Sequence, residues 1–181
     1  LCTIEFMDKI IEAGVKVFKI EGRARSAEYV KRCAQCYRAA ADAVCDGTYT
    51  AELASSLKDS LSEVFNRGFW DGYYQGAYLG QWSDVYGSQA KLKKVYVGKV
   101  TNWFDRIGVA EILVESAPLR KGDSVMGIGQ TTGVEEFMVE DMRVDFQNAD
   151  IAEKGVRCSV AVPSPGKLKR GDKIYKWEKN I

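Results

Sequence analysis

The sequence predicts an α+β protein: a terminal βα remnant of a larger α/β domain, a helical connector, and a small six-stranded antiparallel β-barrel. Three observations lead there. Helix-like, strand-like and again helix-like stretches follow one another up to about Asp46. A segment dense in aromatics and glycine, residues 68–87, then breaks every periodicity. From Lys94 onward the apolar runs are short, rich in Val and Ile, and bounded by Gly, Pro or Asp.

Thr3 stands where an N-cap belongs. Ile4, Met7, Ile10 and Ile11 recur at helical spacing behind it, and Gly14 supplies the stop. Residues 15–20 form a β-branched and aromatic run that reads as a strand. Ser26 then caps a long helix that Gly47 ends. Alternation of this kind belongs to parallel βα architecture, in which strands pair on both sides and helices cover them. One strand alone meets neither need. Residues 1–49 are therefore expected to be the C-terminal remnant of an α/β domain, with the rest of that domain upstream of Leu1 as its partner. The lone strand is expected to borrow a partner from a neighbouring copy, making a homo-oligomer, or to pack abnormally.

Thr50 opens a third helix with Leu53, Leu57, Leu61 and Phe65 on one stripe. Residues 50–93 form the connector. Its aromatic part is an ordered strap, because flexible linkers lack so much aromatic surface. Residues 94–181 form the barrel, in six runs from "KVYVGKVTNW" to "KIYKW". Within it "LRKGDSV" is echoed by "LKRGDKI", each a basic Gly-Asp turn before a strand. The recurring Gly-Asp turn resembles that of the β-barrel second domain of translation elongation factors.

Composition excludes more than it names. The 181 residues carry a net charge of +1, which gives no overall field towards nucleic acid or an anionic membrane. No apolar run approaches the roughly 20 residues of a membrane-spanning helix, and the start lacks signal-peptide order. A cytoplasmic protein without a membrane partner is expected. Five cysteines, an odd number, fit free thiols in a reducing compartment. With no histidine, the chain by itself assembles no Ser-His or Cys-His nucleophile pair. Beginning at Leu1, it is expected to be a fragment or a processed product.

Ile20-Glu21-Gly22-Arg23 also spells a protease site used in fusion tags. Its place between a predicted strand and a capped helix makes it part of the fold instead. Moreover, "EAGVKVFKIEGRARSAEYV", then "CYRAAADA", then "FNRGFWDGYYQG" closely resembles the C-terminal third of the collagenase-like peptidases of unassigned catalytic type, peptidase family U32. The resemblance implies a TIM-barrel-type catalytic domain, of which residues 1–49 would be the closing piece, followed by an accessory β-barrel. It implies a peptidase activity. For some relatives it implies instead oxygen-independent hydroxylation of transfer RNA, ribosomal RNA or a quinone precursor with an iron–sulfur cluster held by four cysteines.

Candidate site residues follow. In a strand Lys19 and Glu21 share a face. At the C-terminal end of a late barrel strand, Lys19, Glu21 and Arg23 would line the catalytic face, exchanging protons or binding an anionic substrate. Alternatively they form a structural ion-pair network. Cys2, by the resemblance, is the last of the cluster-binding cysteines, the other three lying upstream; alternatively it is a half-buried thiol. No cofactor is expected in this chain alone, since one ligand holds no cluster. Cys33 and Cys36 form C-x-x-C but fall on a helix with Val30, Tyr37 and Ala41, where packing explains them. Cys45 and Cys158 read as core or surface thiols. Asn66, Arg67 and Phe69 are candidate substrate-binding residues. With Trp70, Tyr73, Tyr74 and Trp82 they either anchor the strap by packing or stack on bases.

Three functions are consistent with these residues. The chain positions peptide substrate in a collagenase-like peptidase without being catalytic alone, or binds RNA as the tail of a hydroxylase, or serves as a structural or oligomerising module. Convergence of Lys91, Lys93, Lys94, Lys99, Arg120, Lys121, Lys167, Lys169 and Arg170 on one face would favour RNA.

Overall fold

The computed structural model describes residues 1–76 and 87–180. They form two compact units: Leu1–Leu92, which also takes in Asn180, and Lys93–Lys179.

The first unit is helical. A 3₁₀ turn, Ile4–Phe6, runs into α1 (Met7–Glu12), and Gly14, at φ +93°, ends it. Only glycine enters that left-handed region without strain. α2 spans Ala27–Cys45 and α3 spans Ala51–Ser62. Thr50 caps α3 by accepting the Leu53 N–H at 3.2 Å, one of the donors a helix start leaves unpaired. Ser26 stands at the start of α2, but its side chain makes no capping bond. The core of this unit is Cys2, Ile4, Met7, Cys33, Cys36, Ala40 and Leu61, with Phe18, Tyr37 and Phe69 packed against it. Val30 lies outside that stripe and is exposed; Ala40 and Ala43 take the buried face instead. Two tyrosines fasten the N-terminal turn: Tyr49 donates to the Ile4 carbonyl at 2.6 Å, and Tyr37 accepts the Thr3 N–H at 2.9 Å.

The strand expected at residues 15–20 is absent. A strand exists through its ladder, and residues 15–20 make none with any described residue. Val17 is 84% exposed while Phe18 turns into the core. The alternation of the sequence is real, but one face meets no neighbour.

The second unit is antiparallel. Its strands are β1 (Leu92–Phe104), β2 (Val109–Val114), β3 (Leu119–Arg120), β4 (Ser124–Gly129), β5 (Gly133–Met138), β6 (Met142–Val144), β7 (Gln147–Asn148), β8 (Ile151–Ala152), β9 (Arg157–Ala161) and β10 (Lys173–Lys179). Eight make one sheet in the order β5-β4-β10-β1-β2-β9-β6-β7, and β3 pairs with β8. The six-stranded closed barrel is thus corrected to an open eight-stranded sheet with a two-stranded one. Three of the added strands, β3, β7 and β8, are two-residue pairings outside the six runs, and the run "VEEFMVEDMRV" supplies the fourth. It breaks after Met138, where the Val139 N–H leaves to bond the Asp123 carbonyl at 3.0 Å, so one predicted strand becomes β5 and β6. Val97, Ile112, Val125, Val160, Leu168 and Ile174 belong to a contiguous buried core.

The echoed Gly-Asp turns are the same object twice. Gly122 and Gly171 sit at φ +88° and +93°. Leu119 and Leu168 are both fully buried. The Gly122 N–H bonds the Val139 carbonyl at 2.8 Å, as the Gly171 N–H bonds that of Val100 at 2.8 Å.

Candidate functional site

In the helical unit the segment after α1, the start of α2 and the loop after α3 surround a cavity of about 620 Å³. Its lining includes Cys2, Lys19, Glu21, Asn66, Arg67 and Phe69, bringing together six of the seven residues singled out in the sequence. Arg23 is the exception. Its side chain is 88% exposed and returns to its own neighbour: Glu21 Oε1 accepts the Arg23 N–H at 2.9 Å and lies 3.8 Å from its Nε. The ion pair of this motif is Glu21–Arg23, not the Lys19–Glu21 pair that strand alternation predicts. Without a ladder nothing holds residues 19 and 21 on a common face. Because both partners are solvated, the pair contributes little stability.

Asn66 shapes the opposite wall. Its Nδ2 donates to the carbonyls of Ser62 at 3.2 Å and Val64 at 3.0 Å, and its Oδ1 accepts the Gly68 N–H at 3.1 Å. One side chain thereby closes the end of α3 and turns the chain so that Arg67 and Phe69 reach the cavity. Arg67 stands 6.0 Å from the Phe65 ring centre, and Lys58 Nζ lies 6.0 Å from that of Phe69. Tyr73 and Tyr74 are largely exposed, whereas Trp70 and Tyr73 meet edge to face at 5.0 Å. Trp82 lies outside the described residues.

Cys2 is buried. Its N–H bonds the Trp70 carbonyl at 2.6 Å, and the Tyr37 hydroxyl donates to its sulfur at 3.8 Å. Burial pushes the Tyr37 hydroxyl up to about 12. Among the described residues no group of three or more Cys, His, Asp or Glu side chains is placed to hold a metal. Cys33 and Cys36 are core residues, and burial raises both thiols, Cys36 to about 11. All five cysteines are free thiols.

Sequence reasoning missed Arg25, Tyr29, Cys33 and Tyr37 as cavity residues. The signal was there. Residues 29, 33 and 37 recur every four positions from the start of α2, so they share one helix face. That face reads as packing because nothing in the spacing says that part of it fronts a void. Arg25 had no such signal; its guanidinium is held 4.0 Å from the Phe65 ring centre by tertiary structure alone.

The basic residues near and within the sheet are largely answered by acids. Lys91 pairs with Asp59, Lys93 with Glu178, Lys99 with Glu115, Lys121 with Asp141, and Lys167 with Asp105, all within 3.7 Å. Lys94 rests 4.7 Å from the Tyr175 ring, and Lys169 donates to Thr131. Among the described residues, no helix is long and apolar enough to cross a membrane.

Residues 1–83 match peptidase family U32. Over 179 residues the chain is 47% identical to a collagenase of Porphyromonas gingivalis strain W83, covering 99% of this chain and 43% of the relative. It is 35% identical over 184 residues to an uncharacterized protease of Methanocaldococcus jannaschii, covering 100% of this chain and 44% of that protein. The chain thus spans a little under half the length of these curated relatives. Among solved structures, the C-terminal domain of a Geobacillus thermoleovorans U32 peptidase matches with a TM-score of 0.41 and 19% identity, over 45% of this chain and 91% of that one. The bacterial selenocysteine-specific elongation factor matches with a TM-score of 0.36 and 22% identity, over 46% of this chain and 14% of that one. Residues 1–83, which hold both the Lys-Ile-Glu-Gly-Arg and the Asn-Arg-Gly-Phe segments, thus belong to peptidase family U32.

Proposed function

We propose that this chain is the C-terminal, substrate-positioning region of a collagenase-like peptidase, with the β unit as an accessory module. One observation carries the reading. A single cavity is walled by Lys19 and Glu21 on one side and by Asn66, Arg67 and Phe69 on the other. The stretch between them is helical scaffold, so the two motifs reach one place through the fold. A cavity of this size takes one or two residues of a peptide, and its mix of aromatic, amide and cationic groups suits side-chain and main-chain recognition. The site offers positioning rather than a nucleophile: there is no histidine, and Cys2 is buried beneath the Tyr37 hydroxyl. Local pairing of the basic residues supports peptide over RNA as substrate, because neutralised lysines release few counterions from a phosphate backbone.

The test is gelatin digestion by the full-length protein. Phe69→Ala and Lys19→Gln are expected to raise KM by about tenfold while kcat stays near the parent value, the signature of lost uniform binding. Unchanged KM in both variants contradicts the reading.

A further inference from the structure

The walls of the cavity carry more positive than negative charge. Lys19, Arg25 and Arg67 line it, against one carboxylate, Glu21, which is engaged by Arg23. The Arg25 guanidinium lies 4.0 Å from the Phe65 ring centre and 5.9 Å from that of Tyr29, so two aromatic rings fix where it stands. A guanidinium held against a ring keeps edge N–H donors for a planar anion. Arg25 and Tyr29 flank the start of α2, whose first turn also carries Glu28. Val15, Val17 and Phe18 make an apolar wall beside these cations.

We infer that the cavity is a carboxylate subsite for peptide, with Arg25 as the fork, Lys19 as the second cation and the apolar wall taking the adjacent side chain. This deepens, and rests on, the reading of the cavity as substrate-positioning. The carboxylate comes either from a peptide C-terminus or from an acidic side chain; both present the same planar anion. A nucleic-acid phosphate would meet the same cations, but the apolar wall next to them fits a peptide side chain.

Isothermal titration of the chain separates these sources with four probes: acetyl-Gly-Leu-Phe with a free C-terminus, its C-terminal amide, acetyl-Glu-Leu-Phe amide, and a ten-nucleotide oligouridine. Either the first or the third peptide is expected to bind at least about tenfold more tightly than the neutral amide, as a charge-assisted hydrogen bond allows. Arg25→Gln removes that preference, weakening the acid far more than the neutral amide; Arg25→Lys restores part of it. Far-UV circular dichroism and thermal melting of each variant show that the fold is intact, and Lys19→Gln gives a second, smaller loss. No preference for either acid over the amide overturns the subsite, as does a preference unmoved by Arg25→Gln or tighter binding of the oligonucleotide. In the full-length protein, gelatin digestion unaltered by Arg25→Gln, with the peptide preference lost, overturns the positioning role alone and leaves the subsite standing.

Discussion

The carboxylates of Asp123 and Asp172 close equivalent turns, each accepting the backbone N–H three residues before it, Arg120 at 2.9 Å and Lys169 at 2.8 Å. The turns differ in depth. Asp172 is 6% exposed and also accepts the Thr132 hydroxyl at 2.6 Å, while Gly129 packs so close that a Cβ there would lie 1.8 Å from its Oδ1. Asp172→Ala leaves two donors without acceptors and is expected to cost about 2–3 kcal/mol of unfolding free energy. Urea denaturation measures it; a loss under about 0.5 kcal/mol contradicts the role of the carboxylate.

Gly98 lies in β1 opposite Val114 of β2, and a Cβ on it would stand 1.9 Å from the Leu113 carbonyl oxygen. The constraint is close approach of backbones rather than a left-handed φ. Gly98→Ala must push the two strands apart, at about 2–3 kcal/mol. Gly133→Ala meets no atom within 4 Å, although its φ of +73° carries the smaller strain of a left-handed alanine. Thermal melting of the two variants should rank Gly98→Ala well below Gly133→Ala, and the reverse order counts against the close-contact account.

Burial pushes the Cys158 thiol up to about 12 and Cys36 to about 11, while Cys45 is exposed. The thiolate is the reactive form, so iodoacetamide at pH 8 should label Cys45 first and leave Cys158 intact in the folded protein. The same shift fixes a stability slope. A thiol whose folded pKa is raised keeps its proton longer folded than unfolded, so its contribution is full below about 9 and is lost as pH climbs towards 12. Melting temperature should therefore fall above about pH 9, and Cys158→Val should flatten that fall. A slope identical in the variant excludes Cys158 as its source.

Tyr37 holds the N-terminus through one hydroxyl, accepting from the Thr3 N–H and donating to Cys2. Tyr37→Phe strands both and should cost about 1–2 kcal/mol. Amide hydrogen exchange at Thr3 is the sensitive readout. Protection equal to the parent would show that the bond does not hold the segment.

The helices were legible because caps, apolar spacing and Gly14 and Gly47 all point the same way. The Gly-Asp echo was legible too, since a left-handed glycine and a bonding aspartate leave the same mark wherever the turn is used. The open sheet was not, because breakage at Val139 depends on the Asp123 carbonyl, which is remote in sequence. Residues 15–20 carry strand composition without a strand, since propensity describes a surface and the ladder needs a partner. At the candidate site, motifs pointed to Lys19, Glu21, Asn66, Arg67 and Phe69, which line one cavity. No motif pointed to Arg25, because its place against Phe65 arises only when α2 and the loop after α3 meet.

The most direct measurement of the single-cavity claim is an NMR titration of the isotope-labelled chain with the carboxylate peptide. Amide shifts of Lys19, Glu21 and Arg25 are predicted to move together with those of Arg67 and Phe69, at one midpoint, while the sheet stays still. Shifts confined to one of the two stretches, or centred on strands β1 to β10, would contradict it.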